Sequence, residues 1–117
     1  MTVINLPMPP SVNGLFLNRI GGRSITKRYA DWRKEAGIAL INQRPERVSG
    51  RVSITMAVQE PKRASDLDNR IKPVLDLLVE HRVIDNDDNR FVRCLQVLWD
   101  KSTDGVRVQI EPHMGDI

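Results

Sequence analysis

Apolar and polar residues alternate most regularly over residues 51–59. Val52, Ile54, Met56 and Val58 fall on one side of an extended chain, and Arg51, Ser53, Thr55 and Gln59 on the other. A period of two predicts a strand with one buried face. Helical spacing appears twice. Tyr29, Trp32, Ala36, Ala39, Leu40 and Gln43 recur at three- and four-residue steps, and Thr26 is an N-cap residue, which predicts a helix over 27–43 with Trp32 as a core anchor. Ile71, Val74, Leu75, Leu78 and Val79 form a one-sided stripe on a second helix. Proline fits only the first helical turn, so Pro73 sets the start of that helix near Asn69 or Arg70. Residues 2–6 read as a short strand stopped by proline, and 92–99 and 106–110 as two more. The Lys-Ser-Thr-Asp-Gly segment 101–105 has the turn chemistry of a hairpin. Residues 7–25, with Pro7, Pro9, Pro10, Asn13-Gly14 and Gly21-Gly22, read as loop.

The expected order is β-loop-α-β-α-β-β. It describes a single small α+β (mixed α/β) domain over 1–117, with two main helices on a mixed sheet of about four strands. Cys94 is the only cysteine, so neither an internal disulfide nor a thiolate zinc cluster can form, and a reducing, intracellular setting is expected. His81 and His113 lack zinc-ligand spacing. No secretory h-region opens the sequence and no apolar run nears the length of a membrane span, so no membrane partner is expected.

Charge changes the picture. The net charge is +3, but it is unevenly spread: residues 1–63 hold 11 Lys/Arg against 4 Asp/Glu, and residues 64–117 hold 7 against 11. Within the acidic part, seven carboxylates fall between Asp66 and Asp88: Asp66, Asp68, Asp76, Glu80, Asp85, Asp87 and Asp88. A basic body around a carboxylate patch suits a polyanion docked beside a hard metal ion. Asp66 and Asp68, two apart, share a face of an extended segment, where their repulsion favours a cation between them. Magnesium suits that gap, since it takes oxygen ligands and needs few protein carboxylates. Lys72, four residues after Asp68, comes to the same side of a continuous helix, where it either pairs with Asp68 or Asp76 or neutralises developing negative charge. Ser65 and Asp68 also have capping-box spacing, and 85–88 has turn composition. Basic residues Arg19, Arg23, Lys27 and Arg28 in or after the glycine-rich segment, and Lys62 and Arg63 just before the aspartates, are candidates for holding backbone phosphates.

Four stretches resemble the RusA family of Holliday junction resolvases, endonucleases often carried by phages and prophages. The run from Leu6 to Asn13 resembles the family's opening L-P-x-P-P-S-x-N. Asp66-Leu67-Asp68-Asn69 with Lys72 resembles its D-x-D-N-x-x-K core, Asp76 an acid later in the same helix, and 83–88 its hydrophobic-then-D-D turn. The resemblance implies that Asp66, Asp68 and Asp88 are metal-binding catalytic carboxylates and Lys72 the catalytic lysine. Asn13 joins the candidate DNA contacts. It further implies a magnesium-dependent crossover junction endodeoxyribonuclease, with manganese as an alternative ion and no organic cofactor. Such an enzyme is a homodimer that nicks four-way junction DNA symmetrically in recombination and repair, in the cytoplasm of a bacterial or phage-infected cell. This turn is richer in acid than the family's usual one, which leaves open a share for Asp85 or Asp87. Two other readings keep parts of the pattern: a nuclease acting on flaps or other branched DNA, and a non-catalytic junction-binding protein.

Overall fold

The computed structural model describes residues 1–11, 16–19 and 22–115, with 17–19, 22 and 23 described by backbone alone. Strands β1 (Thr2–Leu6), β4 (Val52–Gln59), β5 (Val92–Asp100) and β6 (Val106–Pro112) form one sheet in the order β1-β6-β4-β5. Strands β2 (Phe16–Arg19) and β3 (Gly22–Ile25) pair separately and antiparallel. Helix α1 (Lys27–Gln43) follows them. A 3-10 turn over Leu67–Arg70 leads into helix α2 (Ile71–Glu80). The α+β class, the four-stranded mixed sheet and the two main helices are therefore as expected from the sequence.

Register explains which side chains are buried. Ile4, Ile54, Met56, Val58, Val106, Val108 and Ile110 all lie on one face of the sheet, each under 2% exposed. Trp32, Ala36 and Leu40 of α1 and Val74, Leu77 and Leu78 of α2 pack on that face in one core. Trp32 is the anchor expected of it, and its indole N–H is spent inside the fold, donating to the Pro7 carbonyl at 3.0 Å. Ser53, Thr55, Arg107 and Gln109 point to the opposite face, and neither helix packs on it.

Two segments depart from the sequence reading. Residues 7–25 are not wholly loop, because β2 and β3 lie within them. The 101–105 segment does not close a hairpin. Strand β4 lies between β5 and β6, parallel to the first and antiparallel to the second, so the segment steps across the end of β4. Its last residue is bonded to β4: Gln59 N donates to the Gly105 carbonyl at 2.8 Å, and Gly105 N donates to Gln59 Oε1 at 2.9 Å. Gly105 has φ +70°, and a Cβ there would meet the Leu6 carbonyl oxygen at 2.1 Å, so only glycine fits.

Local chemistry fixes the helices. Thr26 caps α1 by accepting from Tyr29 N at 3.2 Å. Gln43 closes the outer edge of β1 with its amide, donating to Asn5 O at 2.7 Å and accepting from Asn5 N at 2.8 Å. At the end of α2, Val83 N donates to Leu78 O and Arg82 N to Val79 O, with Arg82 at φ +58°. This is a Schellman stop, and its accompanying apolar pair, Leu78 and Val83, is buried.

Candidate active site

The β4–α2–β5 crossover decides where the acids stand. Strand β4 ends at Gln59, beside Asp100 at the end of β5. The 60–65 segment then bends around Trp99 and delivers Asp66 and Asp68 to the entrance of α2. Asp66 sits before the 3-10 turn in extended backbone, and its side chain caps nothing. Asp68 lies inside the turn. Both are exposed, and no donor or cation in the described fold is bonded to either carboxylate. The capping role that Ser65 and Asp68 suggested is not taken up. Two unneutralised carboxylates two residues apart are what a hard cation requires of a protein, and by chemistry this pair fits one.

The other acids are occupied differently. Asp85 is structural: it pairs with Arg47 and accepts from Gly50 N at 2.8 Å, tying the 83–91 turn to the start of β4. The Arg47 hydrogen bond, followed by the one from Gly50, holds its carboxyl below the usual range. Asp88 accepts from Arg90 Nε at 3.1 Å, Arg90 Nη2 at 2.8 Å and Arg90 N at 2.9 Å. The Arg90 side chain and then its backbone N–H lower the Asp88 carboxyl in turn. Asp87 is exposed and has no side-chain partner in the described fold.

Asp88 is also far along the fold from the pair. Its carbonyl accepts from the N–H groups of Phe91 and Val92, where β5 begins, whereas Asp66 follows a segment packed at Trp99, where β5 ends. Helix α2, with 10 residues, is about 15 Å long; the 85–88 turn follows its far end, and Asp87 shares a cavity with Asp76 midway along it. Among the described residues, no three of His, Cys, Asp and Glu come together to hold a metal ion. One chain thus supplies Asp66 and Asp68 at one end of α2 and Asp88 at the other.

Lys72 is the second residue of α2, four positions after Asp68. Its ammonium pairs with Asp76 at 3.3 Å and not with Asp68. Both partners are substantially exposed, and such i,i+4 pairs hold weakly. Further along the same face, a cavity of about 530 Å3 opens among Tyr29, Arg33, Asp76, Glu80, Asn86 and Asp87. Burial, then the charge of Asp76, raises the Tyr29 hydroxyl above its ordinary value, while Arg33 over its ring acts the other way.

Of the candidate DNA contacts, Lys62 and Arg63 are exposed on the segment just before Asp66. Lys27 pairs with Asp31 at 2.7 Å, mainly through that hydrogen bond, which raises its pKa; the pair is solvent-exposed. Arg28 is exposed near the start of α1. The backbone of Arg19 faces Gly22, and that of Arg23 faces Asn18, across the β2–β3 pair. Asn13 lies outside the described residues.

One residue that the sequence reading passed over is Arg70. Its Nη1 donates to the Pro9 carbonyl at 2.5 Å, which fastens the opening proline segment to the carboxylate motif 61 residues later. Burial, and then the nearby Arg28, lowers its pKa. The only hint in the sequence was position: two residues past Asp68 on a helical turn, a side chain leaves on the opposite side and so toward the fold.

The fold and the site together define a class: a small α+β domain that presents uncommitted carboxylates at a crossover entrance flanked by basic residues. The sequence model of the family described as Endodeoxyribonuclease RusA matches residues 7–111, and the chain belongs to that family. The match takes in both the opening proline segment and the carboxylate motif, which Arg70 joins. None of the curated proteins matches the chain. The family is one of DNA endonucleases that resolve Holliday junctions, and among the described residues no helix is long and apolar enough to cross a membrane.

Proposed function

We propose that the protein is a magnesium-dependent nuclease that resolves four-way DNA junctions by paired symmetric nicks. The observation that carries this reading is the exposed pair Asp66 and Asp68, without a carboxylate partner among the described residues, standing at the head of α2 within a chain of an endonuclease family. Asp66 and Asp68 would hold the ion, whose chemistry is to activate water and offset charge on the scissile phosphate, with manganese able to replace magnesium. Lys72 moves its ammonium from Asp76 to the phosphate as negative charge builds there. Lys62 and Arg63, on the approach to Asp66, hold flanking backbone phosphates.

Asp88 completes the carboxylate set in this proposal. It follows α2 whereas the pair precedes it, and among the described residues the three are not gathered into one metal-holding group, which supports a homodimer in which a second copy brings it into place. Strand β5 is consistent with that: it is an edge strand of the sheet, and its Leu95 and Leu98 are both 37% exposed. Edges of parallel pairs are usually covered. The cytoplasm is the compartment this reading implies.

The test is a labelled four-way junction incubated with the protein, with and without magnesium, beside flap and duplex controls. We expect paired nicks at symmetric positions in the junction only when the ion is present. Cleavage confined to flaps would move the activity to another branched substrate, and tight junction binding with no cleavage in magnesium or manganese would make the protein a non-catalytic binder.

A further inference from the structure

Arg28 and Arg70 share a cavity of about 530 Å3 between the opening proline segment and α1, with Met8, Pro9, Trp32 and Glu35 also on its walls. The Arg70 guanidinium is placed with care. Nη1 is held by the Pro9 carbonyl, and Nε is buried with no hydrogen-bond partner. Neither bonded nor buried, Nη2 is the nitrogen left to reach the cavity that Arg70 lines. No carboxylate is paired with Arg28 or Arg70 among the described residues. Two acids do face the same cavity: Asp31 is bound to Lys27, and Glu35 is exposed on α1.

A half-buried arginine is normally matched by an anion, and two guanidiniums facing one space without one repel each other. An arginine fork accepts phosphate oxygens at close range and in a fixed plane. Asp31 and Glu35 repel such a group, which confines it to the arginine end. We propose that Arg28 and Arg70 form a subsite for one phosphodiester group of bound DNA, with the Pro9 carbonyl fixing the Arg70 fork. The proposal rests on the DNA-cleaving reading above. It gives the contact between the opening segment and the carboxylate motif a purpose: the residue that joins them also grips the strand near the acids.

The rival role for Arg70 is a clamp alone, and Arg28 separates the two. Arg28 is exposed and makes no bond in the described fold, so Arg28→Met leaves stability unchanged. Junction affinity is measured in the absence of divalent ions over a range of salt, for wild type, Arg28→Met, Arg70→Met, Arg70→Lys and the double methionine variant. Losing one duplex phosphate contact reduces the slope of log affinity against log salt by about 0.9. We expect that loss in each methionine variant, no larger a loss in the double variant, and most of the slope kept in Arg70→Lys. An Arg28→Met protein with wild-type affinity and slope overturns the subsite while leaving the DNA reading intact.

A second measurement does not depend on DNA. Inorganic phosphate is titrated into metal-free protein while the Arg70 Nε–H signal is followed by NMR. That proton is buried, and we expect it to shift with phosphate in wild type and not in Arg28→Met. A wild-type protein that binds no junction defeats the DNA reading, and the anion subsite then stands on the phosphate shift and is overturned without it.

Discussion

The aspartates of this chain divide by whether anything is bonded to their carboxylates, and that division carries the functional argument. Asp85, Asp88 and Asp100 are held by donors of the fold, whereas among the described residues nothing is bonded to the carboxylates of Asp66, Asp68 and Asp87. Asp100 shows what a structural aspartate looks like here. Ser102 N, Ser102 Oγ and Thr103 Oγ1 donate to it at 2.9, 2.7 and 2.7 Å, and these bonds lower its pKa from 3.8 to about 2. A depressed folded-state value stabilises the fold in full above the unfolded value, and that contribution drains away as pH falls toward the folded one. The turn that crosses β4 should therefore weaken between about pH 4 and 2. Asp100→Asn is expected to lower stability at neutral pH and to flatten the pH dependence across that window, as read by urea denaturation at stepped pH. Lys72 is the matching case among the cations. As a surface partner of Asp76 it contributes only about 0.3–0.5 kcal/mol, whereas a preorganised charge at the phosphate is worth about 2.7–4 kcal/mol, or roughly 100- to 1000-fold in rate. Lys72→Met is expected to fold and bind junctions normally but to cut at least about a hundredfold more slowly in single turnover. Lys72→Arg should restore only part of the rate, because a planar fork does not place charge as a compact ammonium does. Near-normal cleavage by Lys72→Met would leave the residue as the surface partner of Asp76.

At the scale of elements, the stop of α2 is the most exposed to test. Arg82 occupies the left-handed position of the Schellman turn at φ +58°, where a Cβ is unfavourable and glycine is not. Arg82→Gly is expected to raise stability by about 0.5–1 kcal/mol, after the extra entropy glycine has when unfolded. The denaturation midpoint should rise with an unchanged slope, and a lower midpoint would mean that the Arg82 side chain contributes more than its backbone costs. The two helices and the central strand were legible in the sequence because each buries one face, and burial writes its period into the residues. The helix from Lys27 to Gln43 has the expected limits because both its cap and its apolar face are local. The pair β2–β3 was hidden because its strands have only 4 residues each amid prolines and glycines, too short to show a period. The 101–105 segment misled for a different reason. Turn chemistry reports how a chain bends, not what lies between the arms, and β4 occupies that space through contacts more than 40 residues distant in sequence. The carboxylate motif was legible as a local pattern. Arg70 was not, since its bond is to Pro9 and its charged neighbour is Arg28, both distant in sequence, and little local announces a half-buried arginine.

At the scale of the molecule, the proposed function requires Asp66, Asp68 and Asp88 to meet at one phosphate. Asp66 and Asp68 precede α2 and Asp88 follows it, and among the described residues the three are not gathered into one metal-holding group. Asp88 is meanwhile engaged by Arg90 in its own turn. Two chains related by a two-fold axis solve this without deforming either, since each can offer its pair to the partner's Asp88. The β5 edge and the sheet face on which neither helix packs leave surface for such an arrangement. We expect sedimentation at micromolar concentration to give twice the 13.3 kDa chain mass. Sharing of the site is decided by mixing. Asp66→Asn and Asp88→Asn should each be inactive alone. Unfolded together and refolded, about half of the dimers should hold one chain of each kind. If the site is shared, such a dimer has one site with both defects and one with none. The mixture should then regain activity, and it should nick one strand of the junction instead of two opposed strands. If each chain builds its site alone, both sites of the mixed dimer are defective and no activity returns. A silent mixture whose mixed dimers are shown by mass spectrometry to have formed would place the whole carboxylate set within one chain, and would require α2 or the 85–88 turn to move when DNA binds.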